Sequence, residues 1–184
     1  MPSATFRIDA AREADLPAIM ELEESGFDAA IREEEAVFRA KLALFPAGFV
    51  VLRDESTGRA RGYLCAERWA GDPGADPAAF RLGHDPAERH APAGRVVYIA
   101  SMTLDPALRG TGLGARLFDE GREHIRRAAP GLETELLLVN EAWEGARRIY
   151  ERSGFRERSR LSGFFPHAGG ESRAAILMAR SLIL

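Results

Sequence analysis

The stretch Ser101-Met102-Thr103-Leu104-Asp105-Pro106-Ala107-Leu108-Arg109-Gly110-Thr111-Gly112-Leu113-Gly114 decides how this chain is read. An apolar strand, Val96 to Leu104, runs into a proline-containing turn. Glycines follow at positions 110, 112 and 114, and an amphipathic helix starts at once. Alternating glycines at a helix start let the backbone approach a ligand closely and leave N–H groups aimed at it. The positive end of the helix dipole adds to the effect, so the segment reads as an anion site, and most simply a phosphate site. Each amide bond to a charged phosphate oxygen contributes about 1.5–3 kcal/mol, and the dipole adds about 0.3–1 kcal/mol. Three or four such bonds could anchor a pyrophosphate without a positive side chain.

Upstream, Thr5 to Asp9 reads as a first strand, and Asp15 as the N-cap of a helix with Pro17 in its first turn and Leu16, Ile19, Met20 and Leu22 on its apolar face. A second helix is expected from Ala29 to Leu44, with Glu33-Glu34-Glu35 on a solvated face. Gly48 to Arg53 and Ala60 to Trp69 form a hairpin around Asp54-Glu55-Ser56-Thr57-Gly58-Arg59. Residues 70–95, rich in Pro and Gly, form a long loop insertion, and a loop of that length is usually functional or disordered. Downstream, the glycine-led helix ends at Pro130-Gly131. A strand (Glu133 to Val139), a short helix (Trp143 to Ser153) and two last strands (Phe155 to Ser162, Ser172 to Arg180) follow, the strands flanking a turn at Pro166-His167-Ala168-Gly169-Gly170. The order is that of an α/β fold with a mixed sheet, not a repeated βαβ array.

The chain has 184 residues, 46% hydrophobic, enough for one domain spanning 1–184. The start, Met1-Pro2-Ser3-Ala4-Thr5-Phe6-Arg7, lacks a signal-peptide pattern, no apolar run approaches membrane-spanning length, and the only cysteine is Cys65. The expectation is a cytoplasmic protein without a membrane partner. A net charge of −3 gives no sign of nucleic-acid binding. Residues 1–94 carry −6 and residues 95–184 carry +3, so the positive half holds the glycine turn. The acidic half fits either a solvated surface or the steering of a cationic co-substrate.

Two segments together carry a family resemblance: Arg109-x-x-Gly112-x-Gly114, and Ala146-Arg147-Arg148-Ile149-Tyr150-Glu151-Arg152-Ser153-Gly154-Phe155 some thirty residues later. The chain resembles the GNAT superfamily of acyl-CoA-dependent N-acyltransferases, with its Q/R-x-x-G-x-G/A pyrophosphate loop and A-x-x-x-Y-x-x-x-G-F motif. The resemblance runs from about Phe6 to the C-terminus and implies a mixed, strongly twisted sheet of six to seven strands with helices on both faces. It implies that acetyl-CoA is the co-substrate, with its pyrophosphate on the amides of Arg109, Gly110, Thr111, Gly112, Leu113 and Gly114. Its pantetheine would lie beside Met102, Thr103 and Leu104, in a gap between two splayed strands, with a backbone amide near Leu104 polarising the thioester carbonyl. By the same resemblance Tyr150 protonates or hydrogen-bonds the departing thiolate; a phenol of pKa ~10 against a thiol of ~8.5 makes full transfer uphill by only about 2 kcal/mol. Packing among Ile149 and Phe155 is the competing reading for Tyr150.

The C-terminal part is also similar to enzymes that acetylate ribosomal-protein N-termini, through Phe164-Phe165-Pro166 and Ala174-Ala175-Ile176-Leu177-Met178. Where those enzymes carry a catalytic glutamate this chain has Leu138, and where the family often has Asn it has Trp143. Glu67, at the end of the third strand, is the substitute candidate for general base, against an ordinary exposed carboxylate. A site without a strong base favours low-pKa amines: at pH 7 an α-amine of pKa ~7.8 is roughly a tenth neutral, a lysine of ~10.4 below about a thousandth. His84 and His90 lack a recognisable ligand spacing, so no metal is expected, but they could line the acceptor pocket; His124 and His167 read as surface residues. The acceptor is a small-molecule amine or a protein or peptide N-terminus, and a homodimer stays open because the last strands of this family often pair between subunits. A catalytically silent acyl-CoA sensor of the same fold is the alternative function. The dinucleotide pattern Gly110-x-Gly112-x-x-Ala115 is set aside, because Asp105 to Arg109 separate it from its strand.

Overall fold

Strand pairing organises the molecule. In the computed structural model, which describes residues 5–167 and 169–183, the elements run β1 (Phe6–Ala10), α1 (Leu16–Gly26), α2 (Glu35–Leu44), β2 (Phe49–Asp54), β3 (Ala60–Trp69), β4 (Val96–Leu104), α3 (Leu113–Ala128), β5 (Thr134–Asn140), α4 (Glu144–Arg152), β6 (Arg156–His167) and β7 (Gly170–Ser181). The strands form one seven-stranded sheet, ordered β1-β2-β3-β4-β5-β7-β6. Every neighbouring pair is antiparallel except β4 and β5, which are parallel because α3 carries the chain back across the sheet between them. Val50, Leu52 and Leu64 pack under Leu117, Phe118 and Ile125 of α3 on one face. Phe49, Val51 and Tyr63 pack against Ile19, Leu22 and Phe38 of α1 and α2 on the other. Residues of β2 are therefore buried on both sides, which explains its unbroken apolar run.

Several boundaries differ from the sequence expectation, each for a local reason. The helix expected from Ala29 begins only at Glu35. Within residues 28–34 two backbone donors go to side chains instead: Ala30 N–H donates to Asp28 Oδ1 (2.9 Å) and Glu33 N–H to Glu23 Oε1 (3.0 Å). Glu33 is not a solvated residue, since its carboxylate holds Lys41 at 2.6 Å. Asp15 precedes α1 but does not cap it; its carboxylate takes Arg53 at 2.8 and 2.9 Å. The last two strands are longer than expected, because Gly163 absorbs an irregularity of register at φ +64° instead of ending β6. Ala168, in the expected turn between them, lies outside the described residues, as do Met1, Pro2, Ser3 and Ala4 of the N-terminal reading. The 70–95 segment is pinned by Ala79 and Phe80, both buried, with Phe80 5.6 Å from Trp69 and 5.3 Å from Tyr98. No helix is long and apolar enough to cross a membrane among the described residues.

Candidate active site

The parallel pairing of β4 with β5 runs from Val96 opposite Thr134 to Ile99 opposite Leu137 and then stops. At that point β4 carries an extra residue: Cys65 faces Ser101, Ala66 faces Ile99, and Ala100 is left over. A bulge there bends the strand and re-aims its side chains, so β4 leaves β5 and a cleft opens between them. The cleft holds about 360 Å³ and is lined by Ser101, Met102 and Thr103 from β4, Leu138 from β5 and Tyr150 from α4. The end of α1 is pressed against β4, where a Cβ on Gly26 would collide with Thr103 Oγ1.

Arg109 lines the cleft, and the glycine turn continues from it along the chain. Asp105 folds the entry by accepting from Ala107 N–H (2.8 Å) and from Arg61 Nε (2.9 Å), and Thr111 Oγ1 donates to the Leu108 carbonyl at 2.6 Å. Gly110 and Gly112 take φ of +77° and +86°, conformations that favour glycine. No acceptor is bonded to the backbone N–H groups of residues 110–115 among the described residues. This turn leads directly into the 16-residue helix α3.

Tyr150 is 8% exposed, packed 4.7 Å from Phe118 and 6.4 Å from Phe155 by ring centroids. Its hydroxyl has no hydrogen-bond partner among the described residues, and burial pushes the phenol well above its ordinary pKa. Of the residues singled out from sequence, Met102, Thr103, Arg109 and Tyr150 share the cleft wall. Leu104, Gly110, Thr111, Gly112, Leu113 and Gly114 are not among the lining residues; they form the strand end, the turn and the first helical residues.

Glu67 is not an exposed carboxylate. It is 3% exposed and does not itself line the cleft. Trp69 Nε1 donates to its Oε2 at 2.9 Å, His84 Nε2 stands 2.8 Å from the same oxygen, and Lys41 Nζ is 3.3 Å from Oε1. Burial pushes Glu67 up, but the His84 hydrogen bond and the Lys41 charge outweigh it and hold the carboxyl below its ordinary value. His84 rises in turn, chiefly through that bond to Glu67. Its Nδ1 faces the Arg81 carbonyl at 2.8 Å, so both ring nitrogens face acceptors and the imidazolium satisfies both. His84 lines the cleft and His90 does not. His167 is exposed with its ring 3.2 Å from Asp28, and His124 is half-buried on α3. Among the described residues no group of three or more His, Cys, Asp or Glu could hold a metal ion.

Sequence reasoning passed over Glu23. It is 2% exposed, lines the cleft, and accepts from Glu33 N–H and from the hydroxyl of Tyr63. Tyr63 Oη is in turn 2.8 Å from Ser101 Oγ. Burial pushes Glu23 above its ordinary value despite the Tyr63 bond. A signal was present: Leu16, Ile19, Glu23 and Gly26 fall on one stripe of α1, so Glu23 occupies a position expected to be apolar.

A model of the Acetyltransferase (GNAT) family matches residues 16–155. A mycothiol acetyltransferase of Propionibacterium freudenreichii subsp. shermanii is 30% identical over 167 residues, covering 88% of this chain and 46% of that protein. The chain spans less than half the length of each such curated relative it matches. Among solved structures, a GphF GNAT-like decarboxylase in complex with isobutyryl-CoA superposes with a TM-score of 0.77 at 24% identity, covering 96% of this chain and 100% of that one. The ribosomal-protein-S18-alanine N-acetyltransferase from Escherichia coli gives 0.70 at 18% identity, covering 98% and 96%. These two likenesses are of fold.

Proposed function

The chain belongs to the GNAT acetyltransferase family, and from that premise we propose that it transfers the acetyl group of acetyl-CoA to a primary amine by direct attack. The observation that carries this reading is a continuous wall. Tyr150, Met102, Thr103 and Arg109 line one cleft, and the chain runs from Arg109 straight into a turn whose amides have no protein acceptor among the described residues. A pyrophosphate suits the turn, because residues 110–115 offer donors at a helix N-terminus without needing a cationic side chain. The free side of β4 beyond Ile99 offers Met102, Thr103 and Leu104 as a strand edge for the amide-bearing pantetheine arm. Acetyl-CoA supplies a thioester, whose carbonyl carbon takes the amine nitrogen as the C–S bond breaks.

The chain's own residues would do the rest. Tyr150 stays neutral at working pH because burial raises its phenol, so its O–H remains a donor for the sulfur that leaves. Its want of a protein partner fits that role, since a phenol placed only to pack would leave a polar group unused beside an open cleft. Glu67 enters this reading as the anchor of Lys41 and His84, not as the base, because a carboxyl held below its ordinary value is a poor proton acceptor. Acceptors include small-molecule amines and protein or peptide N-termini.

Titration calorimetry with acetyl-CoA, followed by a thiol-release assay over a panel of amines, tests the proposal. Tyr150→Phe should lower kcat by roughly 100-fold with acetyl-CoA affinity unchanged. Gly112→Ala, strained by about 1–2 kcal/mol at its positive φ, should instead weaken acetyl-CoA binding. A folded protein that ignores acetyl-CoA overturns the reading. Binding without turnover on any amine favours the silent sensor.

A further inference from the structure

We propose that Ser101, Tyr63 and Glu23 form the line that takes the proton of the acceptor amine, and that they select a primary ammonium carried on an apolar body. The inference rests on the acetyl-transfer reading and adds what that reading lacks, a destination for the amine proton.

The direction of the hydrogen bonds carries the argument. Tyr63 has one hydroxyl proton and gives it to Glu23 Oε2, so its bond to Ser101 at 2.8 Å has Ser101 as donor. Ser101 has thereby committed its own proton inward, and the remaining lone pairs of Oγ are left as acceptors on a residue that lines the cleft. The whole line is polarised to receive a proton at Ser101 and store it on Glu23. When the amine N–H passes its proton to Ser101 Oγ, the Ser101 proton moves to Tyr63 and the Tyr63 proton to the Glu23 carboxylate. One N–H bond is broken, one carboxyl O–H is formed, and both hydroxyls are restored. The nitrogen lone pair so released attacks the thioester.

The same group selects for charge. Glu33 and Glu67 each face Lys41, at 2.6 and 3.3 Å, and Glu67 also faces His84. Glu23 receives only neutral donors, and no cation stands within ion-pair distance of it among the described residues. Of the groups around it, Tyr63, Glu33 and Lys41, only Lys41 bears positive charge, and its ammonium is spent on the other two carboxylates. A buried carboxylate without a counter-ion costs stability, which an ammonium entering the cleft would offset. The cleft lining is also aromatic: Phe27 and Phe165 stand 5.6 and 5.7 Å from Trp143. Those rings suit an apolar or aromatic body next to the ammonium.

The test uses 2-phenylethylamine, with 2-phenylethanol as its uncharged match. Calorimetry on the CoA-loaded enzyme should show the amine binding and the alcohol binding at least tenfold more weakly, and Glu23→Gln should abolish the preference. In turnover, Glu23→Gln should lower kcat/KM for the amine roughly 100-fold at pH 7 and Tyr63→Phe or Ser101→Ala roughly tenfold. All three losses should shrink above pH 10, where the amine is already neutral. A structural role alone would give a loss independent of pH. Equal binding of amine and alcohol, or a pH-independent loss in variants that still bind acetyl-CoA and melt normally, overturns the inference. Absence of turnover by the unmodified enzyme on every amine of the panel would overturn the acetyl-transfer reading, and the calorimetric comparison would still decide the ammonium site.

Discussion

Two carboxylates flank the same buried region and answer to opposite forces. Glu67 is enclosed by Lys41, His84 and Trp69 and is held below its ordinary pKa; Glu23 has only a phenol and an amide and is pushed above it. Their exposures are alike, 3% and 2%, so burial alone does not separate them. What separates them is compensation. A buried carboxylate with cations around it is a structural post, fixed in its ionised form, whereas one with neutral donors beside an open cleft can change its protonation during a reaction. The comparison moves the search for the base from the strand end to α1.

The most severe way to break the comparison is to remove the cation that makes it. Lys41 is 2% exposed and is held above its ordinary pKa because the charges of Glu33 and Glu67 outweigh its burial. Lys41→Met would take the cation from the half-buried Glu33 and leave the buried Glu67 with only His84 and Trp69, and should cost about 3–5 kcal/mol, a fall in Tm of roughly 10 °C or more for a chain of this size. Adding Glu33→Gln should recover part of that loss, because one stranded charge is gone. A Tm for Lys41→Met within 2–3 °C of the unmodified protein (about 1 kcal/mol) would show that the pairing contributes little.

A smaller effect separates the two carboxylates by pH. The Glu67 carboxyl is lowered in the folded state, so its contribution is present above the unfolded value of 4.5 and is lost as pH falls through the folded value. Glu23 is raised, so its contribution has the other sign: it is complete below 4.5 and is lost as pH rises through the folded value. Urea unfolding across the acid-to-neutral range should therefore show Glu67→Gln losing about 1–3 kcal/mol at neutral pH and progressively less as pH falls through the folded value. Glu23→Gln should be closest to the unmodified protein at neutral pH and should compare worst in acid. Parallel curves for the two variants would dissolve the distinction.

The two ends of the cleft differed in how far the sequence could be read. The glycine turn and the tyrosine helix are contiguous signals: Gly110 and Gly112 demand their backbone conformations locally, and Tyr150 sits at a fixed offset from Gly154 and Phe155. The order of elements along the chain and the helix after the turn followed from the same kind of signal, and a sheet of six to seven strands from the family resemblance; the order of strands within the sheet did not. Glu23, Tyr63 and Ser101 come from three distant segments, and no local pattern announces that they touch. Charges on apolar stripes were the available clue, Glu23 among Leu16 and Ile19, and Lys41 among Phe38, Leu42 and Phe45. The late start of α2 was hidden for a related reason. Asp28 and Glu23 compete for the backbone of residues 30–33, and the second of those partners can be seen only in three dimensions.

The finest test of the comparison lies on its compensated side, at the join between the 70–95 segment and the sheet. His84 is raised by its bond to Glu67, so the stability it contributes is complete below its unfolded value of 6.5 and is lost as pH rises through the folded value. Glu67 loses its part in acid, so the pair serves the fold best between the two unfolded values, from about pH 4.5 to 6.5. Above that window the segment keeps its other ties, Phe80 between Trp69 and Tyr98, and the Ala91 N–H bond to the Arg68 carbonyl at 2.9 Å. The effect should thus be local: opening of residues 70–95 without global unfolding. His84→Gln should cost only about 1 kcal/mol at pH 6, and hydrogen exchange in the segment should quicken for the unmodified protein as pH rises past His84's folded value. Exchange rates, corrected for their intrinsic pH dependence, should be flat across that range in His84→Gln. If the variant and the unmodified protein share the same corrected profile, His84 is a packing residue, and Lys41 alone compensates Glu67.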